Sequence, residues 1–359
     1  MSKEKELISI KKLIEEIDEN LLSLLNKRLE YSINISEIEG EKEFVYRPET
    51  EVKIFNKLLS LNQGPLKEKQ VNSIFREIIA TCRPNQESTQ VSFLGPEGTF
   101  SEAAVKENFG NEINTKPTES IEGVFRDVSE GKDSYGIVPI ENSTEGSVNI
   151  TLDCLSSFDL KICGEIEMSI HHSLMGSDRA LPRDNFEIHA HEQTLAQCRK
   201  WLDAYCPKVK KVSVSSNAVA AKNAASKANI LAIAGSLAAE QYGLEIIRSN
   251  IEDYSNNTTR FIILGHQEGE ISGKDKTSLV VTTKNEPGAL YKVLKPINKN
   301  ELNLTHIAYR PSKNDKWNYS FFLDLDRHLQ DKKMVKLLKE LSKIQVNIKI
   351  LGSYPRAVN

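Results

Sequence analysis

Apolar residues recur at helical spacing over the first forty residues, and from about residue 90 onwards short strand-like and helix-like runs alternate. No Gly or Pro occurs between Lys3 and Ile38, which predicts one helix about 54 Å long. Shorter helices are predicted over 49–61 and 67–82, with a Gly-Pro turn between them. Because two short helices cannot cover so long an apolar stripe, we expect a homodimer.

Polar linkers at 84–90 and 269–276 separate this helical segment from two further segments. Between the linkers, alternating strands and helices are typical of an α/β domain. After the second linker, the predicted order strand, helix, strand, strand, helix, strand is that of an α+β domain. The main runs predicted between the linkers are strands at 91–94, 135–139 and 230–234 and helices at 101–109, 121–129, 195–205 and 218–228.

Composition excludes several classes of protein. A net charge of −3 gives no general basic field for nucleic acid. No apolar run approaches the roughly 18 residues of a membrane span, and the charged start is unlike a secretory signal. Five scattered cysteines form no Cys-x-x-Cys pair, which favours reduced thiols and a cytoplasmic protein.

A hydroxyl, a guanidinium and an aromatic ring occur together at Thr259-Arg260-Phe261, just as a polar stretch leads into a predicted strand. Arg260 can bind a carboxylate, Thr259 can donate to a leaving oxygen, and Phe261 can exclude water. Such a pattern suits a small anionic substrate. A solvated loop end has the same local pattern, so the functional interpretation depends on other segments.

Two more segments follow predicted strands, at 95–101 and 138–146. In the first, Thr99 and Ser101 lie at a strand-to-helix turn that can hold a carboxylate, although Ser101 can equally cap the helix. In the second, Glu141 could act as an acid if it is desolvated, or only orient its neighbours if it is exposed. Asn142 can donate to a substrate oxygen.

In this order, the three segments resemble prephenate dehydratase from about 90 to 266. The resemblance implies two α/β lobes like those of type II periplasmic binding proteins, with prephenate in the cleft and Thr259 as the principal catalytic hydroxyl. Ala190 departs from the family, which usually has Ser-His here. The implied catalytic residues are Thr259, Glu141, Asn142, Gln197, Arg260 and Phe261, and the implied substrate-binding residues are Thr99, Ser101, Ser143 and Thr144.

The helical segment resembles the chorismate mutase domain, an intertwined dimer. At three positions a cation of the family is weakened or lost, since Lys11 and Thr50 replace Arg and Glu39 replaces Lys. A carboxylate facing a dianion repels it, so we hypothesise an impaired mutase site, unless Lys42 substitutes for the missing cation. The implied pocket residues are Lys11, Arg28, Glu39, Arg47, Thr50, Glu51 and Gln86.

The last segment resembles an ACT domain, a small amino-acid-binding module, and L-phenylalanine is the effector that the resemblance implies. One family motif is intact, and the other, Glu-Ser-Arg-Pro, reads Ala308-Tyr309-Arg310-Pro311 here. The carboxylate and the small hydroxyl of that motif are therefore absent. The implied effector-binding residues are Glu286, Pro287, Gly288, Ala289, Leu290, Tyr309, Arg310 and Pro311.

We therefore expect an all-α dimer domain at 1–88, a two-lobed α/β dehydratase domain at 90–267 and a ferredoxin-like ACT domain at 277–356. Two other functions stay open: a fully bifunctional enzyme, and a non-catalytic sensor of aromatic amino acids. Prephenate and arogenate are both possible substrates. The resemblance implies no metal or organic cofactor. The pair His189 and His191 could mimic a metal site on a strand, but it has no third ligand at typical spacing.

Overall fold

The computed structural model describes residues 3–40, 45–84, 89–178, 185–312, 318–344 and 346–357. The N-terminal unit consists of α1 (Lys3–Glu39), α2 (Pro48–Leu61) and α3 (Glu68–Thr81). Within one chain, α2 and α3 lie beside the C-terminal part of α1 only. The apolar stripe on the rest of α1 is exposed, at Ile10, Leu13, Ile14, Ile17, Leu21 and Leu24.

The first α/β lobe is built on a sheet whose central strands are almost wholly buried. Helices pack on both of its faces. Its elements are β1 (Gln90–Leu94), α4 (Phe100–Phe109), β2 (Asn114–Thr118), α5 (Ile121–Ser129), β3 (Tyr135–Asn142), β4 (Gly146–Ser147), α6 (Asn149–Ser157) and β5 (Lys161–Ser169).

The second lobe is a five-stranded sheet that the chain enters after β5. The single helix predicted over 195–205 is two helices, which meet at the fully buried Cys198. The elements are β6 (Ser173–Gly176), β7 (Glu187–His191), α7 (Glu192–Gln197), α8 (Arg199–Tyr205), β8 (Lys210–Val214), α9 (Asn217–Ser226), β9 (Ile230–Ala234), α10 (Ser236–Tyr242) and β10 (Glu245–Arg248). They lie in the order β10-β6-β9-β7-β8.

The chain then returns to the first lobe as β11 (Thr258–Gly265), which inserts between β3 and β5 and is antiparallel to both. The first sheet thus has the order β2-β1-β3-β11-β5. Because the chain crosses between the sheets twice, the two lobes enclose a cleft. This topology confirms the predicted two-lobed architecture.

The C-terminal domain has the βαββαβ order and a four-stranded sheet arranged β13-β14-β12-β15, as expected for a ferredoxin-like ACT domain. Its elements are β12 (Asp275–Thr283), α11 (Ala289–Lys299), β13 (Leu304–Pro311), β14 (Tyr319–Leu325), α12 (Lys332–Leu341) and β15 (Asn347–Pro355).

The alternation of side chains along the ACT sheet explains how the domains pack. Leu279 and Leu323 face the helices of the ACT domain and form its own core. Val280 and Phe322, the adjacent pair in the ladder between these antiparallel strands, face the first lobe and join a core cluster with Leu155 of α6. The ACT domain is therefore packed against the dehydratase-like lobe by a shared apolar layer. None of the described helices is long and apolar enough to cross a membrane.

This layer predicts the effect of a small substitution at Gly352 of β15. A Cβ added there would collide with the backbone carbonyl of Ile162 on β5. Overpacking of this kind costs about 1–3 kcal/mol, so Gly352→Ala should lower the thermal unfolding midpoint of the full chain. Gly131→Ala is the control, since Gly131 also has a positive φ but has open space around it. Equal midpoints for the two variants would contradict the close packing of β15 on β5.

Candidate active site between the two lobes

A cleft of about 800 Å³ lies between the lobes, large enough for a small-molecule substrate. The ends of β3 and β11 form one wall, and residues around β7, α7 and α9 form the opposite wall. Its lining is rich in hydroxyl and amide side chains. These include Thr99, Ser101, Asn142, Gln193, Thr194, Gln197, Ser216, Asn217, Asn257 and Thr259.

Thr259 is the best-positioned hydroxyl in this cleft. Its side chain lines the cleft, and the residue is only 9% exposed. Its Oγ1 accepts a hydrogen bond from Nδ2 of Asn142 at 2.8 Å. Among the described residues, none is seen to accept the hydroxyl proton of Thr259. The hydroxyl can therefore donate that proton to a bound molecule.

Asn142 is fixed in one orientation by contacts at both ends of its amide. Its Nδ2 also donates to Oδ1 of Asn257 at 2.9 Å. Its Oδ1 accepts from the hydroxyl of Thr144 at 2.6 Å and from two backbone N–H groups. Because the amide cannot turn over without losing these bonds, it holds Thr259 as an acceptor.

Gln197 comes from the second lobe and reaches the same network. Its Oε1 lies 2.9 Å from Nε2 of His172, which is 2% exposed, and its Nε2 lies 3.4 Å from Oγ1 of Thr144. Burial lowers the pKa of His172, with the hydrogen bond to Gln197 acting in the opposite direction. A neutral imidazole then donates from Nε2 to Gln197 and directs the Gln197 amide hydrogens toward Thr144 and the cleft.

Arg260 and Glu141 do not lie in the cleft, contrary to the sequence prediction. On β11, Thr259 and Phe261 point into the cleft, so Arg260 between them points to the opposite face. There it lies against Glu165 and the ACT domain. Glu141 precedes Asn142 on β3 and likewise points away, with Oε2 3.6 Å from Nε2 of His306. Neither residue is among those that line the cleft in the described structure.

The remaining predicted residues of this domain divide into lining and supporting groups. Thr99 rather than Ser101 caps α4, since the Thr99 hydroxyl accepts from the backbone N–H of Glu102. Ser101 follows in the first turn and lines the cleft. The hydroxyl of Ser143 accepts from the backbone N–H of Thr258 at 2.9 Å, so Ser143 fastens β3 to β11.

No Lys or Arg occurs among the residues that the structure shows lining the cleft. Positive potential comes instead from helix N-termini, because α4 begins in one wall and α9 in the other. The N-terminus of a helix offers unpaired backbone N–H groups and a partial positive charge. Two such ends facing one cleft suit a ligand with two carboxylates.

Several residues of this site were missed by sequence reasoning. Asn217 donates to Thr194 at 2.8 Å and accepts from the backbone of His191, which orders the second wall. The Ser-Asn pair at 216–217 before an Ala-rich helical run is a helix-start signal that could have identified this wall. Ala190 is buried in the core of the second lobe. Thr194, four residues later in the chain, is the nearest residue whose hydroxyl side chain lines the cleft.

The mutase-like residues border a second cavity, of about 390 Å³, between α1, α2 and α3. Arg28, Thr50 and Arg47 line it, and Glu39 forms an ion pair with Arg47 at 3.0 Å. Glu51 is paired with Arg83 at 2.6 Å. Sequence reasoning had not considered Arg83.

Two of the predicted mutase residues are not part of this cavity in the described structure. Lys11 lies 17 residues from Arg28 on the same helix, about 25 Å away, so it cannot reach this cavity within one chain. Gln86 lies outside the described residues, as does Lys42.

The effector residues predicted in the ACT domain fall into two groups. Arg310 and Pro311 border a polar cavity of about 580 Å³ between β13 and α6, where Asp153 binds Arg310 through two hydrogen bonds of 2.9 and 3.0 Å. Tyr309 is 65% exposed on the edge strand. The segment 286–290 does not border that cavity and opens α11, with Gly288 at φ +80°. No group of three metal-binding side chains is found in the described part of the chain.

Comparison with known proteins agrees with this division of the chain. The family model for prephenate dehydratase matches residues 91–269, the model for chorismate mutase type II matches 10–87, and the ACT model matches 277–343. A bifunctional chorismate mutase/prephenate dehydratase from Pseudomonas aeruginosa is 42% identical over 100% of both chains.

Two further relatives match about three quarters of this chain. A prephenate dehydratase from Methanocaldococcus jannaschii is 38% identical over 74% of this chain and 97% of its own. The crystal structure of a prephenate dehydratase from Arthrobacter aurescens, in complex with L-Phe, is 34% identical with a TM-score of 0.70, covering 75% of this chain and 90% of its own. With the full-length match and the three domains in the same order, the chain belongs to the family of bifunctional chorismate mutase/prephenate dehydratases.

Proposed function

We propose that this protein converts prephenate to phenylpyruvate, with loss of CO2 and of the ring hydroxyl. The observation that carries the proposal is the hydroxyl of Thr259, which accepts from Asn142 and so keeps its proton for a molecule in the cleft. A leaving hydroxide needs such a donor. A pure binding protein does not, which argues against a non-catalytic sensor.

The cleft residues account for each part of this reaction. The N-termini of α4 and α9 hold the two carboxylates of the dianion from opposite walls. Thr259 donates a hydrogen bond to the departing ring oxygen, which leaves as water after taking up a proton. The electron pair of the broken C–C bond enters the ring as CO2 departs, and aromatisation drives both cleavages. Phe261, buried beneath the cleft, excludes water.

We propose further that the mutase-like pocket acts weakly on chorismate. The rearrangement of chorismate needs cations that hold the substrate dianion in a compact shape. Here Arg47 forms an ion pair with Glu39 and Arg83 forms one with Glu51, so neither cation is free for a substrate. The full-length relatives named as bifunctional support the opposite possibility, a competent mutase. The two possibilities differ in how fast purified protein consumes chorismate.

A homodimer would complete this pocket. The exposed apolar stripe of α1 needs a partner, and a second copy is the occupant that its length and pattern suit. An antiparallel pairing would bring Lys11 of the second copy toward Arg28 of the first. L-phenylalanine is the effector that we propose for the ACT domain, supported by the complex of the Arthrobacter relative with L-Phe.

The dehydratase proposal predicts activity on prephenate that depends on one hydroxyl. Thr259→Val should reduce kcat for phenylpyruvate formation about 100- to 1,000-fold with little change in KM, because the donor acts on the leaving group in the transition state. Thr258→Val is the matched control one residue away and should stay near wild type. Retention of half the activity by Thr259→Val would refute the assigned role, and arogenate serves as a parallel substrate.

Burial of His172 predicts a pH effect on stability. The folded state lowers the pKa of His172, so the unfolded state binds the proton more readily and stability falls as pH drops below about 6.5. His172→Phe removes this group, so its unfolding midpoint should fall less than that of wild type between pH 7.5 and pH 5.5. Identical falls in scanning calorimetry would mean that His172 is not held neutral.

The mutase proposal predicts a gain from restored cations. Glu39→Lys with Thr50→Arg removes the carboxylate paired with Arg47 and adds a fork-shaped donor, and each 1.4 kcal/mol or so of regained transition-state stabilisation is tenfold in rate. We expect kcat/KM for chorismate to rise at least tenfold. Glu112→Lys with Asn111→Lys, at an exposed turn outside the pocket, changes the net charge by the same amount and is the control. An unchanged rate in the double variant would show that these two positions do not limit the mutase.

A further inference from the structure

A buried cluster of charges joins the back of the catalytic wall to the ACT domain. Arg260 of β11 is at its centre and is 7% exposed. Its Nε donates to Glu165 of β5 at 2.8 Å, its Nη2 donates to the hydroxyl of Tyr354 at 3.0 Å, and its Nη1 lies 2.6 Å from Oδ2 of Asp324. Asp324 and Tyr354 belong to the ACT domain, on β14 and β15.

The cluster contains further charged groups. Lys276 of β12 donates to the same oxygen of Glu165 at 2.7 Å, Glu141 of β3 lies 4.0 Å from Nη1 of Arg260, and Nδ1 of His306 lies 3.9 Å from Oδ2 of Asp324. Ser278 donates to Oδ1 of Asp324 at 2.6 Å and holds that carboxylate from behind. Burial lowers the pKa of Arg260, but Tyr354, Asp324 and Glu165 raise it by more, so the guanidinium stays charged. Every one of these side chains is therefore restrained.

On two paired strands, β11 and β3, the residue next to a cleft residue belongs to this cluster or lies against it. In the ladder between β11 and β3, Thr259 pairs with Asn142 and Arg260 pairs with Glu141. The register then shifts between Arg260 and Phe261, an irregularity that interrupts the ladder beside the site. On its other side Thr259 pairs with Met168 of β5 in a regular stretch of ladder, and the side-chain contacts of Arg260 add to this backbone pairing.

We infer that Asp324 is a positioning residue for the dehydratase reaction, acting through Arg260 to fix the hydroxyl of Thr259 against Asn142. The inference rests on the proposed function. Through this contact the ACT domain helps to position the active-site residues. A shift of β14 caused by an effector would move Arg260 and, with it, the neighbouring Thr259. The cluster is a direct physical route between the two domains, and it touches no residue that lines the cleft except through the backbone.

The test compares isosteric and control substitutions in the full chain, with prephenate as substrate. Asp324→Asn keeps the shape but removes the charge that faces Arg260. We expect kcat to fall at least tenfold while KM changes less than threefold, because the cleft and its helix N-termini are untouched. Asp326→Asn is the matched control, since Asp326 forms an ion pair at 2.6 Å with Arg356, outside the cluster. It should stay within twofold of wild type.

A milder variant keeps the test decisive if Asp324→Asn does not fold. Ser278→Ala removes the hydrogen bonds of that hydroxyl to Asp324 and to the Tyr354 hydroxyl and leaves every charge in place, and we expect a three- to tenfold fall in kcat with KM unchanged. If the wild-type protein is active and neither Asp324→Asn nor Ser278→Ala lowers kcat, this inference is overturned while the proposed function stands. The same holds if the variants change only KM or only the thermal unfolding midpoint. An inactive wild type would overturn the proposed function and this inference together.

Discussion

Two neighbouring residues of β11, Thr259 and Arg260, point to opposite faces of the sheet, and both the active site and the domain packing depend on that alternation. The strand pairs with β3 and β5 along its two edges, and side chains on both of its faces are buried. One face supplies a hydroxyl to the cleft. The other supplies a guanidinium that would be costly to bury without the carboxylates of Glu165 and Asp324. Loss of either partner would leave a charge in the interior, so the ACT domain and the first lobe require one another.

The cleft proposed to hold the dianion has no lysine or arginine in its described lining, and this has physical consequences. Helix N-termini and hydroxyl groups carry fixed partial charges that need no counter-ion and do not form competing ion pairs with the product. They are also rigid, since the capping residues Thr99 and Ser216 already bond their own helices. A site of this kind orients a dianion through geometry more than through net attraction, which suits a reaction that needs one carboxylate aligned for loss.

Much of the fold follows from the sequence, and less of the site does. Helical spacing in α1 and the strand–helix order of the ACT domain are local patterns, and the structure agrees with them closely. Thr259, Asn142 and Gln197 were identified through motifs and do meet in the cleft. Arg260 was misassigned because a motif shows which residues matter but not the face on which each one lies. Once Glu141 and Arg260 are placed within strands, period-two alternation directs them away from Asn142 and Thr259. His172 and Asn217 join the site only through tertiary contacts, which no local pattern reveals.

The packing of the ACT domain also limits how a second copy can bind it. One face of its sheet is covered by α11 and α12, and the other is covered by the first lobe. Its edge strand β15 lies against β5, as the close approach of Gly352 to Ile162 shows. In the described structure, β13 pairs with β14 alone and leaves Ile307 and Tyr309 exposed. The edge of the sheet that stays open in the described structure is therefore β13, the strand that carries Ala308-Tyr309-Arg310-Pro311, and its exposed face presents a phenol at Tyr309 instead of a small hydroxyl.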